Sequence, residues 1–258
     1  MTATQLLPVI WILASMVVYV LETLLVSQTQ LTRWQAAGVG RWLIQIARLL
    51  YYLGVPYAAL LAGVIAPVDM GLTGVAGPVL GWTGAEWLHS VGLGLIAGAV
   101  VLIPIGIAAR QMDRAGHPLG VDERSAGAIL VDSIYAESHW AFYRTAPLML
   151  LDNVYVATLI GLGLIGVELL VSLLRSGLGQ YPEERQSWLG TLLLLTLSAA
   201  LFVLTRNLWV MILTHIAVEM LIKWWATRLA RRTAETQLPL QEPAYDPDVR
   251  LLNEQPEA

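Results

Sequence analysis

The stretch "AESHWAFYR", from Ala136 to Arg144, sets Glu137, His139 and Arg144 close together in a chain that is 57% hydrophobic and only 13% charged. Ionisable groups at membrane depth are costly, so each one is a functional candidate. The others are Glu22, His89, Asp132, Asp152, Glu168, His215 and Glu219. Glu22, His89 and Glu168 fall near the ends of apolar runs, where interfacial or interhelical hydrogen bonds account for them. On a helix, at about 100° per residue, positions seven apart nearly eclipse. Asp132 and His139 therefore share one stripe, which suits an imidazole oriented by a carboxylate. Glu137 and Arg144 share another stripe, some 140–160° away, which suits an intramembrane ion pair. So Glu137 and His139 point to nearly opposite faces. His215 and Glu219 are four apart and share a face. Such a pair makes one hydrogen bond or supplies two ligands to a metal. Each of these groups needs a polar partner in lipid. The expectation is one cavity holding His139, His215 and Glu219, with Asp132 behind His139.

The elements that must position them follow from hydropathy. A soluble domain carries roughly a quarter charged residues, about twice the share found here. Apolar runs at 6–27, 42–65, 87–109, 126–145, 147–174, 188–204 and 208–229 are long enough to cross a bilayer core, for which about 20 residues suffice. This predicts an all-α polytopic transmembrane helix bundle of about seven spans. The transmembrane domain covers 1–233, and 234–258 reads as a disordered cytoplasmic tail, rich in Pro and Glu. Residues 1–5 lack the positive start of a cleavable signal, so the first run reads as a retained helix. "GLTGVAGPVLGWTGAEW" reads as a Gly-rich loop or a half-inserted helix.

Basic residues set the orientation. Arg33 and Arg41 occupy the first loop, and 66–86 has no Lys or Arg. Arg110, Arg114 and Arg124 occupy the third loop; Lys223, Arg228, Arg231 and Arg232 follow or end the last run. The N-terminus is then outside and the C-terminus cytoplasmic, in a bacterial inner membrane. Arg144 and Arg206 are misfits at helix ends, where snorkelling is easy. With no cysteine, disulfides and thiolate metal sites are excluded. No basic cluster is built for nucleic acid. The expected partners are the lipid bilayer and other membrane proteins.

"TRNLWVMILTHIAVEML", from Thr205 to Leu221, resembles the last motif region of the CPBP family, the CAAX prenyl endopeptidases and bacteriocin-processing intramembrane enzymes. There a G-S/N-L-W-x-x-I-x-x-H stretch leads into H-x-x-x-N or H-x-x-x-D. His215 matches the histidine and Glu219 holds the Asn/Asp position. The family's E-E-x-x-x-R motif, with an aromatic before the Arg, resembles "HWAFYR". Tyr143 and Arg144 match; His139 and Trp140 stand where both glutamates would be. Glu137 replaces one of them only if the helix bulges or the register slips by two. The middle F-x-x-x-H motif has no counterpart, since no histidine lies between His139 and His215 and Phe202 is followed four residues later by Arg206.

The resemblance spans roughly 132–225, within a CPBP-like core at about 126–229. It implies chemistry in which a glutamate activates water while histidines and an Asn position it or bind a divalent metal such as zinc. An active member would use Glu137, His139, His215 and Glu219, with His139, His215 and Glu219 as metal ligands and Glu137 or Asp132 as base. The incomplete motif set points first to a non-proteolytic scaffold or assembly partner in a membrane complex. An active intramembrane metallohydrolase is the second reading. The third is a cofactor- or pigment-binding subunit with His139, His215 or His89 as axial ligand. On the topology, a reporter fused after Ala258 should read as cytoplasmic; a periplasmic signal would remove the seven-span arrangement.

Overall fold

The computed structural model describes residues 3–25, 38–114, 124–175 and 182–237. Its regular elements are helices: α1 (Ala3–Leu25), α2 (Gly38–Leu49), a π-helical turn (Leu50–Gly54), α3 (Val55–Leu61), α4 (Gly84–Arg114), α5 (Ala126–Leu151), α6 (Val154–Arg175), α7 (Pro182–Thr205) and α8 (Leu208–Gln237). Four stretches are long and apolar enough to cross a membrane: Gly38–Leu61, Gly84–Gln111, Val154–Leu174 and Leu208–Arg231. Leu6–Leu21 and Gly190–Thr205 are shorter apolar helices. The chain is thus a membrane protein whose described residues form helices and no strand. α5 carries Asp132, Glu137 and Arg144 and is not among the four. The tail expected from 234 overlaps α8, which runs to Gln237; the remainder of that segment lies outside the described residues.

α5 is the central element. It packs against α1, α3, the π turn, α6 and α8. From Glu137 to Leu148 every side chain is buried, the mark of a helix enclosed on all sides. Ser125 caps its start by accepting a hydrogen bond from the Ala128 N–H at 3.1 Å.

The end of α5 corrects the sequence-based boundary. Pro147 was expected to open a new helix, but it lies inside α5. Proline removes one backbone hydrogen bond, and transmembrane helices packed among neighbours tolerate that loss. The break comes at Asp152, left-handed at φ 47°, whose N–H reaches the Leu148 carbonyl at 2.9 Å. Asn153 then starts α6, its Oδ1 accepting from the Tyr155 and Val156 N–H groups at 3.0 and 3.1 Å. An Asp-Asn pair supplies both the left-handed stop and the next cap.

α4 and α8 run parallel. Gly94 faces Val210 and Thr214, Gly98 faces Thr214 and Val218, and Gly106 faces Trp225. Small residues on one helix let the other approach closely, as membrane packing requires. The Gly-rich segment before α4 is a loop with two isolated bridges, Gly77 to Gly81 and Val79 to Trp82. It is tied to the α7–α8 corner: the Leu208 N–H donates to the Gly71 carbonyl at 2.9 Å, and Trp209 Nε1 donates to the Leu72 carbonyl at 3.0 Å. That corner falls at Arg206–Asn207, as the sequence indicates, with Asn207 Oδ1 accepting from the Trp209 and Val210 N–H groups at 3.1 and 3.3 Å.

Gly71 has φ +74°, and a Cβ there would meet the Arg206 carbonyl oxygen at 2.5 Å. Gly63 has φ +67° but open space around it. Gly63→Ala should therefore lose only the left-handed strain, roughly 1 kcal/mol. Gly71→Ala should lose more, about 2 kcal/mol or above, since the corner must also shift. Thermal unfolding in detergent ranks the two; equal losses would contradict the tie between loop and corner.

Candidate functional site

Two polar clusters flank α5, on opposite sides. The first joins α5, α7 and α8. Glu137 Oε1 lies 2.9 Å from His215 Nδ1, and the Ser198 hydroxyl donates to Glu137 Oε2 at 2.6 Å. Arg144 Nη2 donates to the same hydroxyl at 3.0 Å. Glu137 and Arg144 are therefore joined through Ser198, two helical turns apart on α5, rather than face to face. Trp140 stacks on the His215 ring at 5.7 Å between centroids, and Arg144 lies 5.1 Å from the Phe202 ring centroid. Glu137, Arg144 and His215 are all buried.

The second cluster joins α1, the π turn, α5 and α6. His139 Nε2 lies 3.2 Å from both oxygens of Glu168. The Tyr143 and Tyr51 hydroxyls donate to Glu168 Oε1 at 2.5 and 2.8 Å. Tyr51 sits in the π turn, a distortion that rotates later side chains relative to a regular helix and recurs at functional positions. Three aromatic rings enclose the imidazole: Tyr143 at 4.3 Å, Tyr51 at 4.9 Å and Tyr52 at 5.2 Å.

A third, partly exposed set closes one end of the bundle. Arg48 Nη2 donates to Asp132 Oδ1 at 2.8 Å. Arg124 reaches Asp132 Oδ2 at 3.4 Å and Glu219 Oε1 at 3.2 Å. Glu219 Oε1 also lies 4.0 Å from His215 Nε2, beyond hydrogen-bond range.

The expected shared cavity is therefore divided. His139 belongs to Glu168, and His215 belongs to Glu137. The reason is the angular separation of Glu137 and His139 on one helix, which sends them toward different neighbours. Asp132 does not orient His139. Seven residues place two side chains on one stripe but about 10 Å apart along the axis, and Asp132 is taken by two arginines. Among the described residues, no group of three His, Asp or Glu side chains is placed to hold a metal ion. The donor set His139, His215 and Glu219 does not fit one. His89 is exposed and lines an open cavity of about 330 Å³ with Trp82, Glu86 and Leu204. Glu22 lies in α1, its side chain outside the described set, and Asp152 forms the helix stop.

No family model, curated protein or solved structure matches the chain.

Tyr51, Ser198 and Arg48 complete these clusters, and sequence reasoning passed over their roles; Glu168 makes the interhelical hydrogen bonds that the sequence assigns to it, to His139, Tyr143 and Tyr51. One signal pointed to the partner of Glu168. A chain with two deeply placed imidazoles needs two carboxylates at matching depth, and Glu168 is the spare one. Chemically, each buried pair holds an imidazole against a carboxylate, which fixes ring orientation. Hydrogen-bonded to Glu137 through Nδ1, His215 turns Nε2 toward Glu219.

Glu137→Gln should lower stability by about 1–3 kcal/mol, the loss expected when a buried network has one of its two acceptor oxygens replaced by a donor. Arg144→Gln combined with it should be non-additive by at least roughly 0.5 kcal/mol. In a Ser198→Ala background that coupling should shrink. Full additivity in both backgrounds, read from unfolding in detergent, would show that Ser198 does not link the two charges.

Proposed function

We propose that the chain is a divergent CPBP-like integral membrane protein acting as a non-proteolytic scaffold or assembly partner in a membrane complex. In this reading it has about seven spans, the N-terminus outside and the C-terminus in the cytoplasm of a bacterial inner membrane. The observation that carries the proposal is the use made of the buried acids. Glu137 ties α5 to α7 and α8, and Glu168 ties α6 to α5 and the π turn. Groups at or near the positions of a hydrolytic motif thus serve as cross-links between helices. The motif-like sequence around Arg144 and His215 is explained by what it holds together. Oriented donors and acceptors in a low-dielectric interior fix one arrangement of helices, and a docking partner needs a bundle of fixed shape.

The alternative, an intramembrane metallohydrolase, requires His139 and His215 to converge on one ion. Gentle extraction from native membranes separates the two. The scaffold reading predicts a complex of this chain with a second membrane protein at fixed stoichiometry. Glu137→Gln and His215→Ala should reduce that complex only as far as they reduce folded chain. A free chain carrying one equivalent of metal, with chelator-sensitive peptide cleavage, would replace the scaffold by the hydrolase.

A further inference from the structure

At the arginine-rich end of the parallel pair α4 and α8, the helices part around a cavity of about 150 Å³. A single water needs roughly 10–15 Å³ by the same measure, so the space holds a group far larger than a water. Arg110 and Arg228 line it, together with Trp224, Trp225 and Gly106, and among the described residues no carboxylate does. The pocket is shaped by specific contacts. A Cβ on Gly106 would meet the Trp225 ring at 2.7 Å, so glycine here lets the indole lie against α4. The Arg228 guanidinium lies 4.2 Å from the Trp224 ring centroid, which restrains it by a cation–π contact. Neither arginine has a carboxylate partner among the described residues. Both are exposed.

Depth identifies the ligand class. Arg110 and Arg228 fall within the last turn of the apolar stretches that end at Gln111 and Arg231. Residues there sit at the level of lipid headgroups, where tryptophan is also favoured. Two guanidinium forks beside indole faces match a phosphate with acyl-linked, apolar substituents. We propose that this cavity binds the phosphate group of an anionic phospholipid from the surrounding leaflet. The inference uses only the membrane setting and stands apart from the scaffold proposal. It gives α4 and α8 a lipid wedge at the end where their glycine-lined contact opens.

The test is native mass spectrometry of the full chain in detergent, titrated with phosphatidylglycerol, phosphatidylcholine or inorganic phosphate. The expected result is a one-to-one phosphatidylglycerol adduct that survives activation better than any phosphatidylcholine adduct. Arg110→Gln or Arg228→Gln should weaken it about fivefold each, and the double variant about thirtyfold. Arg41→Gln, on α2 and outside the cavity, should leave it unchanged. Circular dichroism melting checks that the exposed substitutions leave the fold intact. A second probe avoids the arginines: Gly106→Ala should also weaken the adduct, because the indole must move. Equal retention of both lipids, or an adduct indifferent to the double variant, would overturn the site. Displacement of the lipid by inorganic phosphate at equal concentration would overturn the lipid assignment in favour of free phosphate.

Discussion

A carboxylate in a membrane bundle must find a donor, and the packing of this protein is arranged around that requirement. Unsatisfied polar groups in hydrocarbon cost several kcal/mol each. Glu137 meets the demand with Ser198 and His215. Glu168 meets it with His139, Tyr143 and Tyr51. Every one of those partners lies on a different element from the acid it serves, so satisfying the acids fixes which helices meet, and at what depth. α5 stands between the two clusters because it contributes to both, from opposite faces.

Apolar packing then fills the space that the polar contacts define. Phe142, Ala146 and Leu148 of α5 belong to one continuous core with Ile165 of α6, Leu201 and Phe202 of α7 and Met211 of α8. Gly161 of α6 lies against Arg144, where a Cβ would come within 2.7 Å of its Cγ. That absence of a side chain makes room for a fully buried guanidinium. On the far side, the small residues of α4 receive α8. The Gly71 loop ties the start of α8 to the same wall. Polar recognition in the centre and close glycine contacts at the flank are complementary devices where lipid supplies no hydrophobic drive between helices.

Much of this was legible in the sequence. Hydropathy gave the all-helical membrane class and most helix positions. The break at 205–207 could be read from the gap between the apolar runs that end at 204 and begin at 208. The angular argument placed Glu137 and His139 on different faces of α5, and they do contact different helices. It failed to name their partners for a physical reason. Periodicity reports the direction in which a side chain leaves its own helix and says nothing about which neighbour stands there. The same projection made Asp132 look close to His139 although two turns separate them. Pro147 misled because proline's cost in a helix depends on its surroundings. The π turn at Leu50–Gly54, which brings Tyr51 onto Glu168, has no simple signature in side-chain pattern.

The central claim is that the two buried imidazoles belong to two separate carboxylates. Solid-state NMR on labelled protein in lipid can measure dipolar contacts between histidine ring nitrogens and glutamate carboxyl carbons. With single Glu→Gln variants assigning the signals, His215 Nδ1 should couple to the Glu137 carboxyl and His139 Nε2 to that of Glu168, with no cross-contact between pairs. Nitrogen shifts of a shared metal on both rings, or both rings coupled to one carboxylate, would contradict the account.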